Sequence, residues 1–513
     1  MSANDRVGGD DTPDHHEARE HAPSVAFNMV GRLEADDGAN VPPASSQNNA
    51  PVVSFTAQQE AQVVRKLDRH LMTLLFVLCM ITFLDRGNIA NAHIAGMDED
   101  LGFDNEEQYQ WLFNIFYIAY VIFEPTALLW KIVKPHHLSA TIVFCWASFA
   151  IFQSCAHSWA DLMALRFFLG ILEACFVPGA IYLLSFFYLR HEIGFRCGIF
   201  ASAAPLASTF AGALAYGITN GYTRVRGWRL LFVVEGLPAM AMSIAALYYL
   251  PDSAEDAVGT VGSARIGAFN PRDILPAILD LKVWICAFMY FCGNVSYSSL
   301  PIFLPALLQD MGFTSINAQG LSAPPSFAAF VSALVTTWIA DRTKQRCLII
   351  FAAAIVGATG YIVLATVESV AVRYFATFLA SAGVFSTIPN ILGLTLNNQG
   401  SDTRRGLSIV IINLVGQCGP FLGTNIFPAR EGPRYINGMS LCAIAMLGLA
   451  LLVMIQRSFL IWENGRLDHQ SGPAGAGAGA PRDGEQGDGN GEQGVELDDI
   501  AVENYGSRFR NVF

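Results

Sequence analysis

Apolar residues fall in twelve blocks of 19 to 27, near 71–93, 110–130, 138–156, 161–187, 196–218, 229–250, 282–308, 320–340, 347–367, 371–395, 406–428 and 436–460. A helix of ~20 residues crosses the ~30 Å hydrocarbon core of a bilayer, so each block is long enough to span. The pattern predicts an all-α membrane protein with twelve transmembrane helices. A longer polar interval, 252–280, divides the blocks six and six. The chain then reads as a tail over 1–64, a six-helix unit over 65–251, a linker over 252–280, a second six-helix unit over 281–462 and an acidic tail over 463–513. Both tails are polar, the second being low-complexity Gly, Ala and acid, and neither holds enough apolar surface to form a core, so both are expected to be disordered.

One block breaks the pattern. Leu71 to Ile94, LMTLLFVLCMITFLDRGNIANAHI, carries Asp85 and Arg86 side by side within an otherwise apolar run. Each ionised side chain near the middle of a span costs roughly 2.5 to 3.5 kcal/mol on insertion scales, so each needs a partner or a water-filled cavity. Successive helical residues point ~100° apart, and Asp85 and Arg86 must therefore meet different neighbours.

Composition agrees with a membrane protein: 53% of residues are hydrophobic and 14% are charged, against roughly 25% charged in soluble domains. The net charge of -12 resides in the tails, because residues 1–64 hold ten acids and three bases and residues 466–513 hold nine and four. The central part is neutral, which says nothing about substrate charge and argues against a nucleic-acid partner, for which a basic surface is expected. All ten cysteines lie in or beside apolar blocks without metal-ligand spacing, and read as small core residues. His15, His16 and His21 also lack ligand spacing, and no metal is expected. The first 64 residues contain no apolar run of signal-peptide type, so the first span is expected to direct insertion. Among the Lys and Arg of the interhelical intervals, seventeen fall on the side of the N-terminus and six on the other, which places both termini in the cytosol.

The fourth block, RFFLGILEACFVPGAIYLL, adds Arg166 and Glu173, seven residues apart. Seven steps return within ~20° of the same helix face, ~10.5 Å along the axis, so both can line one cavity. Two acids and two bases inside the membrane sum to zero when all are ionised. A carboxylate entering such a site leaves one negative charge in excess, and one proton restores neutrality, so anion and proton favour each other. An acid held between burial and a neighbouring guanidinium is poised to exchange protons near neutral pH. Arg86 is the better anion ligand, since guanidinium stays charged and meets a carboxylate with two parallel hydrogen bonds. The alternative is a pair of interhelical salt bridges with no other duty. The sequence also repeats weakly: Arg166-Phe-Phe opens the fourth block and Arg373-Tyr-Phe the tenth, 207 positions on, where Ala380 stands opposite Glu173.

Several stretches together resemble the major facilitator superfamily, in its anion:cation symporter branch, and within it the fungal allantoate and nicotinate permease-like group. They are FLDRGNIANA, the Tyr117, Tyr120, Glu124 and Pro125 set, RFFLGILEACFVPGAIYLLSFFY, GWRLLFVVEGLP, LTLNNQGSDTRRG and FPAREGPRYINGM, within residues 65 to 462. The resemblance implies two six-helix bundles rocking about a midplane site. It implies that Asp85 and Glu173 carry the proton, that Arg86 binds the substrate anion and that Arg166 is coupled to Glu173. The loop between the second and third blocks, WKIVKPHHLS, departs from the superfamily pattern by lacking Gly and Asp, whereas the loop after the eighth keeps Asp341, Arg342, Lys344 and Arg346. A conformational lock built on Asp341, Arg342 and Arg346 is therefore expected to be lopsided. The fifth block lacks a Gly-rich antiporter pattern, which favours symport over exchange.

Tyr117 and Tyr120 in the second block, Asn294 and Tyr297 breaking the seventh, and Asn413 and Gln417 on one face of the eleventh are candidate substrate contacts, or else interhelical hydrogen-bonding groups. Glu124 and Glu235 read as structural, and Trp228, flanked by Arg226 and Arg229, as an interface anchor. The expected function is uptake of a small organic anion with a proton, by a monomer in the plasma membrane, without a cofactor beyond the proton gradient. The second class is a nutrient receptor that signals through its tails. A membrane enzyme is disfavoured, because no nucleophile with its base, metal cluster or nucleotide loop occurs.

Overall fold

The computed structural model describes residues 57–103, 106–188, 190–219, 226–252, 274–399, 402–428, 431–432, 434–471 and 511–512. Most of the two expected tails and of the linker, with the histidines at 15, 16 and 21, lies outside them.

The described residues are helical and carry no strand. The long helices are α1 (Thr73–Ile94), α2 (Glu106–Phe123), α3 (Pro135–Phe152), α4 (Trp159–Phe187), α5 (Arg190–Thr219) and α6 (Gly227–Tyr249). They continue with α7 (Leu281–Asp310), α8 (Ser315–Thr343), α9 (Arg346–Thr366), α10 (Val370–Asn397), α11 (Asp402–Gly416, continued by Cys418–Asn425) and α12 (Ile436–Ser471). Among the described residues, eleven helices are long and apolar enough to cross a membrane, and twelve if the bent pair in α7 is one span.

A helix bonds most of its backbone groups within its own segment, as hydrocarbon requires. The irregular places are informative. Glu124–Leu128 tightens to a 3-10 turn where Pro125 follows Glu124, just after α2. The expected break of the seventh span at Asn294 to Tyr297 falls later: α7 bends by 54° between Pro301 and Phe303. Proline removes an amide donor and crowds the preceding turn, whereas Asn and Ser leave the helix ladder intact. Helix α12 runs on to Ser471, past residue 462.

Packing repeats with a shift of six helices. In the first half α4 lies against α2 and α3, α6 against α3, and α5 against α1; in the second half α10 lies against α8 and α9, α12 against α9, and α11 against α7. The halves meet where α5 lies along α8 and where α2 and α4 touch α11. Close approach demands small residues, and at the α9–α10 crossing a Cβ on Gly383 would collide with the backbone of Gly357 and Ala353. Without a hydrophobic driving force inside lipid, such contact is what holds helices together.

Candidate functional site

A cavity of about 80 Å³ lies between the halves. Phe83, Arg86, Tyr117 and Arg166 line it from the first half, and Tyr290, Asn294, Tyr297, Phe385 and Gln417 from the second. Its size admits a few water molecules, at roughly 10 to 15 Å³ each on this measure.

Asp85 and Arg86 diverge as the helical step requires. Asp85 Oδ2 accepts a hydrogen bond from Trp146 Nε1 of α3 at 2.9 Å and turns away from the cavity. Arg86 faces the cavity and donates from Nη2 (2.7 Å) and Nε (3.1 Å) to Glu173 Oε2. Its guanidinium lies 5.0, 5.1 and 5.3 Å from the ring centres of Phe83, Phe116 and Tyr120. Those rings attract the cation.

Arg166, expected to be coupled to Glu173, makes no hydrogen bond or salt bridge with it among the described residues, and the direct bond to Glu173 comes from Arg86. Arg166 is 1% exposed, lines the cavity, and its Nε and Nη2 have no hydrogen-bond partner. Glu173 Oε1 is likewise buried and unbonded. Neither acid is among the lining residues: Glu173 lies behind Arg86, and Asp85 points to Trp146.

The remaining candidates divide. Tyr117, Asn294, Tyr297 and Gln417 line the cavity. Asn294 Nδ2 donates to Gly416 O at 3.2 Å, and Tyr297 meets Phe385 with centroids 4.7 Å apart. Gln417 occupies the break between the two parts of α11. Tyr120 lies under Arg86 rather than on the cavity wall, and its hydroxyl is buried and unbonded. Asn413 turns inward, donating to Ile409 O of its own helix at 2.9 Å, and does not reach the cavity. Trp228 is fully buried and donates to Asp100 Oδ2 at 3.0 Å, so it is no interface anchor; the short acidic helix Met97–Leu101 ahead of α2 has captured it. Tyr290 and Phe385, which sequence reasoning passed over, belong to the wall. Both lie on the cavity face of α7 and α10, and only the packing reveals that face. Glu124 and Glu235 are fully buried, and neither has a hydrogen-bond partner among the described residues.

On the face where α5 begins and α8 ends, Arg346 pairs with Asp341. It is 2% exposed and fills the space left by Gly194 of α5 and Gly393 of α10, so it braces one half against the other. Arg342 takes no part: it is exposed, 5.5 Å over the ring of Trp338 one turn back on its own helix. In the first half, Lys131 Nζ donates to Thr403 Oγ1 at 3.4 Å.

The description "Major Facilitator Superfamily" belongs to the family model that matches residues 75–424. The chain belongs to the major facilitator superfamily. It is a multi-pass membrane protein, and its relatives in this superfamily are named as transporters. A fungal protein (strain NRRL 50135) named MFS transporter prlL is 29% identical over 469 residues, covering 85% of this chain and 94% of its own. The high-affinity nicotinic acid transporter of Saccharomyces cerevisiae is 26% identical over 435 residues, covering 81% of each chain. Among solved structures, the proton:xylose symporter XylE bound to 6-bromo-6-deoxy-D-glucose superposes with a TM-score of 0.61 at 12% identity, over 75% of this chain and 95% of that one, and shares the superfamily fold.

Proposed function

We propose that this superfamily member takes up a small organic anion together with a proton, as a member of the anion:cation symporter branch, with a monocarboxylate such as nicotinate or a ureido acid such as allantoate as substrate. The observation that carries the reading is the pair of guanidiniums on one cavity wall, Arg86 held by Glu173 and Arg166 with two nitrogens unbonded. Arg166 offers an entering carboxylate open donors, and Arg86 offers a second set once Glu173 lets go. A carboxylate that captures Arg86 leaves Glu173 buried without its countercharge, and one proton neutralises it. Asp85, held by Trp146 one helical step away, is the second proton carrier. The nicotinic acid transporter among the relatives supports a carboxylate substrate. Transport proceeds by rocking of two six-helix bundles, over 65–251 and 281–462, with Asp341 and Arg346 closing one face. We place the chain in the plasma membrane as a monomer with both termini cytosolic, driven by the proton gradient.

The test is uptake of labelled nicotinate and allantoate by vesicles holding the purified chain. An inward proton gradient should drive accumulation above the outside concentration. Uptake that stops at equilibrium with the gradient imposed would overturn proton coupling.

A further inference from the structure

Residues 511 and 512 return to the helix ends of the second half, although the sequence around them is a polar tail. Asn398, at the end of α10, accepts from Val512 N at 2.8 Å through Oδ1 and donates to Val512 O at 3.0 Å through Nδ2. Asn464, on the extension of α12, does the same for the preceding residue: Oδ1 accepts from Asn511 N and Nδ2 donates to Asn511 O, both at 2.9 Å. A carboxamide carries one acceptor and one donor group side by side, as a neighbouring strand would, so each asparagine satisfies the whole peptide unit of one tail residue. The Asn511 side chain is 4% exposed and donates to Glu463 Oε2 at 2.7 Å. The same carboxylate takes Lys282 Nζ at 3.0 Å, so its charge is balanced where it is used.

We propose that Asn398, Glu463 and Asn464 form a docking site for an extended peptide, that residues 511 and 512 occupy it in the same molecule, and that occupancy braces the ends of α7, α10 and α12. The ligand class is two residues of extended main chain with an asparagine first. Asn398 and Asn464 read only backbone, so Asn511 supplies the selectivity through Glu463. Asn511 Oδ1 is buried without a partner, which keeps the association releasable. Five residues beyond Asn398, Thr403 meets Lys131 of the first half, so the site sits at the root of a connection between the halves. The inference is independent of the substrate.

Hydrogen exchange of the full chain in lipid nanodiscs tests it, because both tail amides donate to an asparagine. The amides of Asn511 and Val512 should exchange at least roughly tenfold slower than in a free peptide of residues 504–513. Asn511→Ala, outside the helical body, and Asn464→Ala should each abolish that protection, and Asn511→Ala should also speed exchange at Asn397 and Asn398. Free-peptide rates in the native chain, or protection untouched by both substitutions, would overturn the site. Protection that disappears on dilution would overturn docking within one molecule, and unchanged exchange at Asn397 and Asn398 would overturn the bracing.

Discussion

At the scale of single residues, the four buried charges settle into an unequal arrangement, and Arg86 and Glu173 each make a separate prediction. Hydrogen bonds to a charged group contribute ~1.5 to 3 kcal/mol each, so Arg86→Ala should weaken carboxylate binding by roughly tenfold to a hundredfold or more, read from ligand-induced thermal shifts. Near-native affinity would remove Arg86 from the binding role. Glu173→Gln keeps the shape but cannot cycle a proton. It should preserve exchange of labelled for unlabelled substrate while gradient-driven accumulation is lost, and undiminished accumulation would contradict the coupling scheme. The divergence of Asp85 from Arg86 was legible in the sequence, since geometry forbids adjacent helical residues a common partner. Which base takes Glu173 was not. Arg166 shares its helix face, yet Arg86 makes the bond, because reaching distance between helices depends on packing that no spacing encodes.

Elements carry the closure of the faces. Arg346 fits only because Gly194 and Gly393 leave room, so Gly194→Val should unseat its guanidinium and break the pair with Asp341. Breaking a buried pair by displacing one partner costs about 3 to 5 kcal/mol, and the thermal midpoint should fall by several degrees. Arg342→Ala should leave it unchanged, since that side chain only lies over Trp338. The sequence marked both arginines alike; exposure separates them. The bend of α7 was also misplaced from sequence, because polar residues in an apolar run look like an interruption while Pro301 and Pro305 alter the backbone. Trp228 misled for a similar reason, since a tryptophan flanked by arginines resembles a headgroup anchor until its Asp100 partner is found.

For the whole molecule, the helix blocks were legible nearly in full, because a bilayer imposes both length and apolarity on each one. The contacts of residues 511 and 512 were not, since a short run after a low-complexity stretch gives no sign of where it returns. Removal of residues 1–60 should leave uptake in vesicles intact, as the contacts described for the cavity and its closing face begin later in the chain. A large loss would give that segment a part in transport. In the weak sequence repeat Ala380 stands opposite Glu173, and every ionic side chain lining the cavity comes from α1 and α4. The charged groups of the proposed scheme thus share one wall, and the wall facing them is neutral. Replacing the neutral aromatic and amide lining of Tyr290, Asn294, Tyr297 and Gln417 can retune which nutrient is accepted while leaving the engine untouched.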